Sequence, residues 1–173
     1  MGNGNNIRLT DDQQHVFNKF KAFIKNNQQK VFILNGYAGT GKTTLIRFFI
    51  DELRDRELNY MLMASTGRAA KILTDITGTS ASTVHSVIYS LKGFNKDLEE
   101  IARQEDETGV DKTGQLVLIF EFTPKLPSKE QYFYIVDEAS MIADVEDKNP
   151  TQARFGDGKL LSNLLKYDPE GKF

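Results

Sequence analysis

The segment Gly36-Tyr-Ala-Gly-Thr-Gly-Lys42-Thr43 fits the pattern G-x-x-x-x-G-K-[S/T]. Glycines at 36, 39 and 41, with Ala38 and Thr40 between them, let successive backbone N–H groups turn inward around an anion. A helix beginning at Thr43 and Thr44 adds the partial positive charge of its N-terminus. Lys42 is then placed to reach the β and γ phosphates of a nucleotide, and the Thr43 hydroxyl to ligate Mg²⁺. A chance match is rare in a chain of this length, about one in a hundred. The bland alternative is a glycine turn with a solvated lysine. A second constellation is Asp137-Glu138, which ends the apolar run Tyr132-Phe-Tyr-Ile-Val136. Ligands of open α/β sheets bind at the carboxyl ends of strands. Asp137 there would hold the metal shell, and Glu138 would orient or deprotonate a water. A lone Asp-Glu pair reads by default as a solvated strand end. Downstream of a phosphate-binding loop, the glutamate directly after the aspartate favours hydrolysis over phosphoryl transfer to a small acceptor.

These residues need particular elements beneath them. Val31-Phe-Ile-Leu34 reads as a strand buried on both faces and leads into the glycine turn. Behind the turn, Leu45, Ile46, Phe49, Ile50 and Leu53 fall on one helical face. Residues 10–24 predict an earlier amphipathic helix, with Val16, Phe17, Phe20, Phe23 and Ile24 at helical spacing. Residues 61–64 predict a second strand, and residues 67–76 a helix stopped by Gly78. Val84, Val87, Ile88 and Leu91 predict another helix after a Ser/Thr-rich start. Residues 93–129 read as an excursion from the core, with an acidic stretch at 97–111 and a strand-like run at 116–122 that could form a hairpin. Residues 143–158 read as a polar loop before a short final helix marked by Leu160, Leu161, Leu164 and Leu165. Strands alternating with helices predict an α/β sandwich with a mostly parallel sheet.

Composition limits what such a unit does. The 173 residues suit one domain, and 39% hydrophobic residues with 12 Phe supply a core. No run reaches the roughly 18 apolar residues of a membrane span, and residues 1–6 lack the pattern of a signal peptide. Zero Cys removes disulfides, thiolate nucleophiles and zinc–cysteine sites, which fits a cytoplasmic protein. A net charge of −2 excludes a uniformly basic surface, so nucleic-acid binding must be local or short-lived.

Taken with these two sites, the remaining motifs resemble the N-terminal RecA-like motor domain (1A) of superfamily 1 DNA helicases, in the RecD-like and PIF-type branch. Leu9-Thr-Asp-Asp-Gln13 is similar to the family's Q motif, and residues 36–44 to its motif I. Ala64-Ser-Thr-Gly-Arg-Ala-Ala-Lys71 is similar to motif Ia, Thr83-Val-His85 to the short Thr-x-His signature, and Val136-Asp-Glu-Ala-Ser-Met141 to motif II. The resemblance implies a RecA-like P-loop NTPase fold, a three-layer sandwich incomplete at its C-terminal side, that binds ATP and Mg²⁺. It also implies contact with single-stranded DNA through Thr66, Arg68 and His85, and 5′ to 3′ translocation by the complete enzyme. Gln13 would read adenine; equally, Thr10-x-x-Gln13 is a helix capping box. Thr66 and Arg68 have a bland reading as a cap and a solvated side chain, His85 as a structural histidine, and His15 as a surface residue.

Family members continue into a motif III strand and a second motor domain, whereas this sequence ends at Phe173. The missing domain is thus an implied partner, and the fragment alone is expected to turn over ATP poorly. In the borrowed topology the motif III strand separates the P-loop strand from the motif II strand. The gap is expected to be filled by another chain or by the run at 116–122. Two other readings stay open: a stand-alone P-loop kinase or switch NTPase, for which no Arg-rich lid is visible, and a nucleotide-binding module without turnover.

Overall fold

The structure is a computed structural model that describes residues 8–94, 120–126, 130–145 and 153–173. Residues 1–6, the acidic stretch at 97–111, most of the run at 116–122 and Pro127 lie outside the described residues. Chain order is α1 (Asp11–Lys25), α2 (Lys42–Asp55), β1 (Tyr60–Ala64), α3 (Gly67–Thr77), β2 (Ala81–Thr83), α4 (Val84–Ile88), β3 (Tyr89–Phe94), β4 (Phe120–Pro124), β5 (Phe133–Asp137), β6 (Ala153–Phe155) and α5 (Leu160–Tyr167), with a 3-10 turn at Ala139–Met141.

Period-two alternation along β1 and β5 builds the layers. Phe133 and Ile135 of β5 pack with Phe20, Phe23, Leu45, Phe49 and Leu53 of α1 and α2. Tyr134 and Val136 point the other way, into a cluster with Met63, Val84, Ile88, Leu160 and Leu164. Leu62 of β1 joins Ile46, Ile50 and Leu73, which brings α3 onto the α2 side. Both faces of these strands are therefore buried, which is why they read as continuous apolar runs. Phenylalanines carry much of the α1–α2 contact, with the Phe20 and Phe49 rings stacked at 3.9 Å.

The principal sheet has the order β2-β1-β5, all parallel. The P-loop segment lies beyond β5 but is not paired with it directly. Lys172 pairs with Phe133 in parallel, its N–H donating to Tyr132 O at 2.9 Å and its carbonyl accepting from Tyr134 N at 2.7 Å. Phe173 continues the link, donating to Lys30 O at 2.8 Å and accepting from Phe32 N at 2.7 Å. The chain's own last residues thus occupy the start of the slot between the two segments. This corrects the expectation that residues 116–122 fill it. Of that run, the described part belongs to β4, which pairs with β3 antiparallel and β6 in parallel in a separate three-stranded sheet.

Three further expectations are corrected. Residues 31–34 form no strand, because their only backbone partner among the described residues is Phe173; Ile33 is 80% exposed. The helix begun at Val84 ends at Ile88 instead of reaching Leu91, which is 55% exposed in β3. Lys125 terminates it, its N–H donating to Ile88 O at 2.8 Å and its Nζ to Ser86 O at 2.6 Å. The supposed polar loop at 143–158 holds β6, anchored by stacking of Phe155 on Phe122 at 4.5 Å.

The slot is built by the turn at 168–171. Asp168 is buried, accepts the Tyr134 hydroxyl at 2.8 Å through Oδ2, and accepts the N–H groups of Glu170 and Gly171 through Oδ1. Burial, reinforced by this carboxylate, pushes the Tyr134 hydroxyl above its ordinary range. A Cβ at Gly171 would lie 2.6 Å from the Tyr134 ring, so only glycine lets the turn close over that ring.

Candidate nucleotide and nucleic-acid site

The loop is exposed over residues 36–40 and runs through the half-buried Gly41 into α2. Gly41 is the N-cap of α2 in the left-handed region, φ 81°, and α2 carries no acid in its first turn. Among the described residues, the N–H groups of residues 41–44 donate to no protein acceptor. Free amides at a helix N-terminus, where the helix dipole is positive, can receive an anion. Lys42 is folded over the loop, its Nζ donating to Gly36 O at 2.7 Å and Tyr37 O at 2.9 Å. Thr40 closes the same turn, its hydroxyl donating to Tyr37 O at 2.8 Å. The Tyr37 carbonyl therefore organises the loop, a role no side-chain pattern could reveal.

The second constellation sits on the carboxyl edge of the principal sheet. Ala64 is in register with Asp137 on one side and Thr83 on the other. The three segments that leave this edge are thus Glu138 onward, Ser65 to Arg68, and Val84 to His85. Asp137 Oδ1 accepts the N–H of Glu138 at 3.0 Å, which leaves Oδ2 without a hydrogen bond among the described residues. Glu138 itself is in the left-handed region, φ 52° and ψ 38°, which costs a residue with a Cβ about 1–2 kcal/mol. Strain of this kind gathers at functional sites. A hydroxyl from Thr43 and one carboxylate from Asp137 would be a sparse set for most metals, but it fits Mg²⁺, which keeps waters and takes phosphate oxygens. No hydrogen bond or ion pair joins Lys42 or Thr43 to Asp137 or Glu138 among the described residues.

Thr66 is the N-cap of α3, accepting Ala69 N at 3.2 Å, and both Thr66 and Arg68 are exposed. Ser65 Oγ contacts Met141 Sδ at 3.8 Å, tying this turn to the one after Glu138. His85 differs from them: its ring packs on Phe155 at 4.5 Å and near Tyr89 at 6.1 Å. His15 is exposed. Gln13 satisfies the capping-box reading and also reaches the P-loop, its Nε2 donating to Thr40 O at 3.2 Å.

Burial holds the His85 imidazole below its ordinary pKa. The unfolded chain then takes up the proton first as pH falls below about 6.5, so this residue erodes stability from there down through its lower folded pKa. His85→Phe is expected to flatten the fall in thermal midpoint between about pH 7 and pH 5. A variant whose midpoint falls as steeply as the parent's would contradict this.

A family described as AAA domain matches residues 20–149, more than half of the chain. The ATP-dependent DNA helicase dda of Enterobacteria phage T4 is 43% identical over 81 residues, covering 46% of this chain and 18% of that protein. The ATP-dependent RecD2 DNA helicase of Deinococcus radiodurans is 39% identical over 87 residues, 50% of this chain and 11% of its own length. An uncharacterised protein of Acanthamoeba polyphaga mimivirus is 41% identical over 142 residues, 76% of this chain and 27% of its own. The chain therefore spans about a quarter or less of the length of these relatives. The chain belongs to the AAA-domain family, and its parallel sheet together with its similarity to the two helicases supports a RecA-like motor domain of the superfamily 1 type, in the RecD-like and PIF-type branch.

Proposed function

We propose that the chain is the ATP-binding and hydrolysing motor domain of an ATP-dependent DNA helicase, a single P-loop ATPase domain over residues 1–173 with an excursion at 93–129. The observation that carries this reading is that the amides of residues 41–44 have no acceptor among the described residues, in the same loop over which the Lys42 ammonium is folded. The triphosphate lies along Gly36, Ala38, Gly39, Thr40, Gly41 and Thr44, with Lys42 on the β and γ phosphates. Thr43 and Asp137 would hold Mg²⁺, which would supply neutralisation of phosphate charge. Glu138 orients and deprotonates the water, and Gln13 reads adenine.

Single-stranded DNA crosses the turn at Thr66 and Arg68, near His85. Arg68 at the positive end of α3, with no acid in that first turn, is electrostatically unfavourable alone and favourable beside a phosphate. The engaged His85 ring supports a positioning role there more than direct contact. A second motor domain is the partner that completes the site, since arginine fingers contribute about 10³–10⁵ in rate in related systems. Translocation is 5′ to 3′ by family resemblance. The cytoplasmic placement proposed for the chain stands on its composition alone, with zero Cys; separately, no helix among the described residues is long and apolar enough to cross a membrane.

Calorimetric titration with MgATP tests the core of this reading. Lys42→Ala removes charge-assisted bonds of about 1.5–3 kcal/mol, so affinity is expected to fall by roughly tenfold to a hundredfold. A variant that binds ATP as tightly as the parent overturns the phosphate assignment. Hydrolysis stimulated by single-stranded DNA, in a version extended through a second motor domain, separates the motor from a kinase or a passive nucleotide module.

A further inference from the structure

The Gln13 side chain is engaged at both ends. Its Oε1 accepts the Thr10 N–H at 3.1 Å, while its Nε2 donates to Thr40 O at 3.2 Å across 27 residues of sequence. A flipped amide would set N–H against N–H and oxygen against carbonyl, so these partners fix its orientation. The capping box accounts for the first bond and for the Gln13 N–H on Thr10 Oγ1, but not for the bond to Thr40. Adenine recognition does not require that bond either. The contact is also close: a Cβ on Gly41 would lie 2.6 Å from Nε2, so the residue after Thr40 is shaped around this amide.

We propose that Gln13 is a positioning residue for the phosphate-binding loop, tying Thr40 to the first turn of α1 so that the loop's receptive shape depends on it even for a ligand with no base. The inference rests on the phosphate site proposed above. Thr40 is the hinge through which it acts, because its hydroxyl holds the same Tyr37 carbonyl that accepts Lys42 Nζ. Releasing Thr40 therefore loosens the turn that sets the lysine. The amide keeps a second N–H and a second lone pair, the two groups an adenine edge requires, so base binding and loop positioning are compatible. An adenine contact would then hold the amide where it also holds the loop.

Inorganic tripolyphosphate with Mg²⁺ separates the roles, because it carries the phosphate chain and no base. Affinities for it and for MgATP are measured by calorimetry on the parent chain, Gln13→Ala and Thr10→Ala, with thermal midpoints for all three. Thr10→Ala loses the cap to Gln13 N but retains the amide bond to Thr40, which makes it the control for helix stability. Gln13→Ala is expected to weaken tripolyphosphate by about threefold to tenfold, the worth of one net hydrogen bond, and Thr10→Ala by less than about twofold. Loss of ATP affinity alone in Gln13→Ala would overturn the proposal and leave the glutamine as a base reader. Equal weakening of tripolyphosphate by both variants would overturn it in favour of helix stability. A parent chain that binds neither ligand removes the phosphate site itself, and this inference with it.

Discussion

Glu138→Gln is expected to keep MgATP affinity within about twofold and to cut hydrolysis by about 10²–10⁴, the usual worth of a positioned general base. The glutamine preserves size and hydrogen bonding but cannot accept the water's proton. The left-handed backbone at this position, φ 52°, adds a second expectation that distinguishes a functional from a structural glutamate. Glu138→Gln keeps a Cβ, so the strain and the thermal midpoint should stay as they are. Glu138→Gly removes the Cβ clash, worth about 1–2 kcal/mol, against about 0.4–1 kcal/mol of added freedom in the unfolded chain. A net gain of up to about 1.6 kcal/mol raises the midpoint by up to roughly 3–6 °C. The most stable of the three proteins should then be one without hydrolysis, as expected where strain serves a site. The reading fails if Glu138→Gly melts below the parent, or if Glu138→Gln hydrolyses ATP at the parent's rate in a chain that carries a second motor domain.

What the sequence made legible were features carried by short spacing. The helical face from Leu45 to Leu53 and the apolar runs ending at Ala64 and Asp137 each occupy one local window and form the helix and strands read from them, with the glycine pattern at 36–41 as a turn before α2, whereas the segment at 31–34 forms no strand. Gln13 was ambiguous because its cap and its loop contact use different atoms of one amide. Errors arose where a distant strand overrides a local period. Leu91 continues the helical spacing of Val84 and Ile88, yet β4 pairs with the chain from Tyr89 onward. Likewise β6 is three residues long, has no alternation of its own and exists through β4 and the Phe122 ring. The role of Lys172 was invisible for the same reason: its partners lie 146–149 residues earlier.

Lys172→Met should be the most destabilising conservative change available in the tail. The Lys172 side chain is buried at 2% exposure, and its Nζ donates to Phe23 O, Ile24 O and Asn26 O at 2.9, 3.1 and 2.9 Å. These carbonyls lie at the C-terminal end of α1: Phe23 O and Asn26 O also accept the N–H groups of Asn26 and Gln29, at 3.1 and 3.3 Å, while Ile24 O has no other donor among the described residues. The ammonium also lies 4.9 Å from the Phe23 ring centroid. Methionine fills the same channel but caps nothing, so the expected loss is about 2–4 kcal/mol, or a midpoint lower by roughly 5–12 °C. Burial, with Lys30 nearby, holds the Lys172 pKa below its ordinary value. The unfolded chain thus keeps this proton to higher pH than the folded one, and the parent's stability should rise as pH climbs from that lowered value toward about 10.5. Lys172→Met should lack that rise.

Lys30 is the contrast that isolates the cause. It is paired with Glu170 at 3.7 Å, but its side chain is 41% exposed and its partner's 86%, so Lys30→Met should cost no more than about 1 kcal/mol. The two lysines lie near one another and differ in burial, not in charge. Because the backbone of Lys172 bridges β5 while its side chain caps α1, filling the sheet slot and ending that helix are one event. Hydrogen exchange can read this directly. The amides of Phe32 and Tyr134 donate to the carbonyls of Phe173 and Lys172, and in Lys172→Met they should lose protection together, ahead of the β1–β5 ladder. If the midpoint falls while those two amides stay as protected as the ladder, the lysine stabilises the helix alone and does not seat the tail in the sheet.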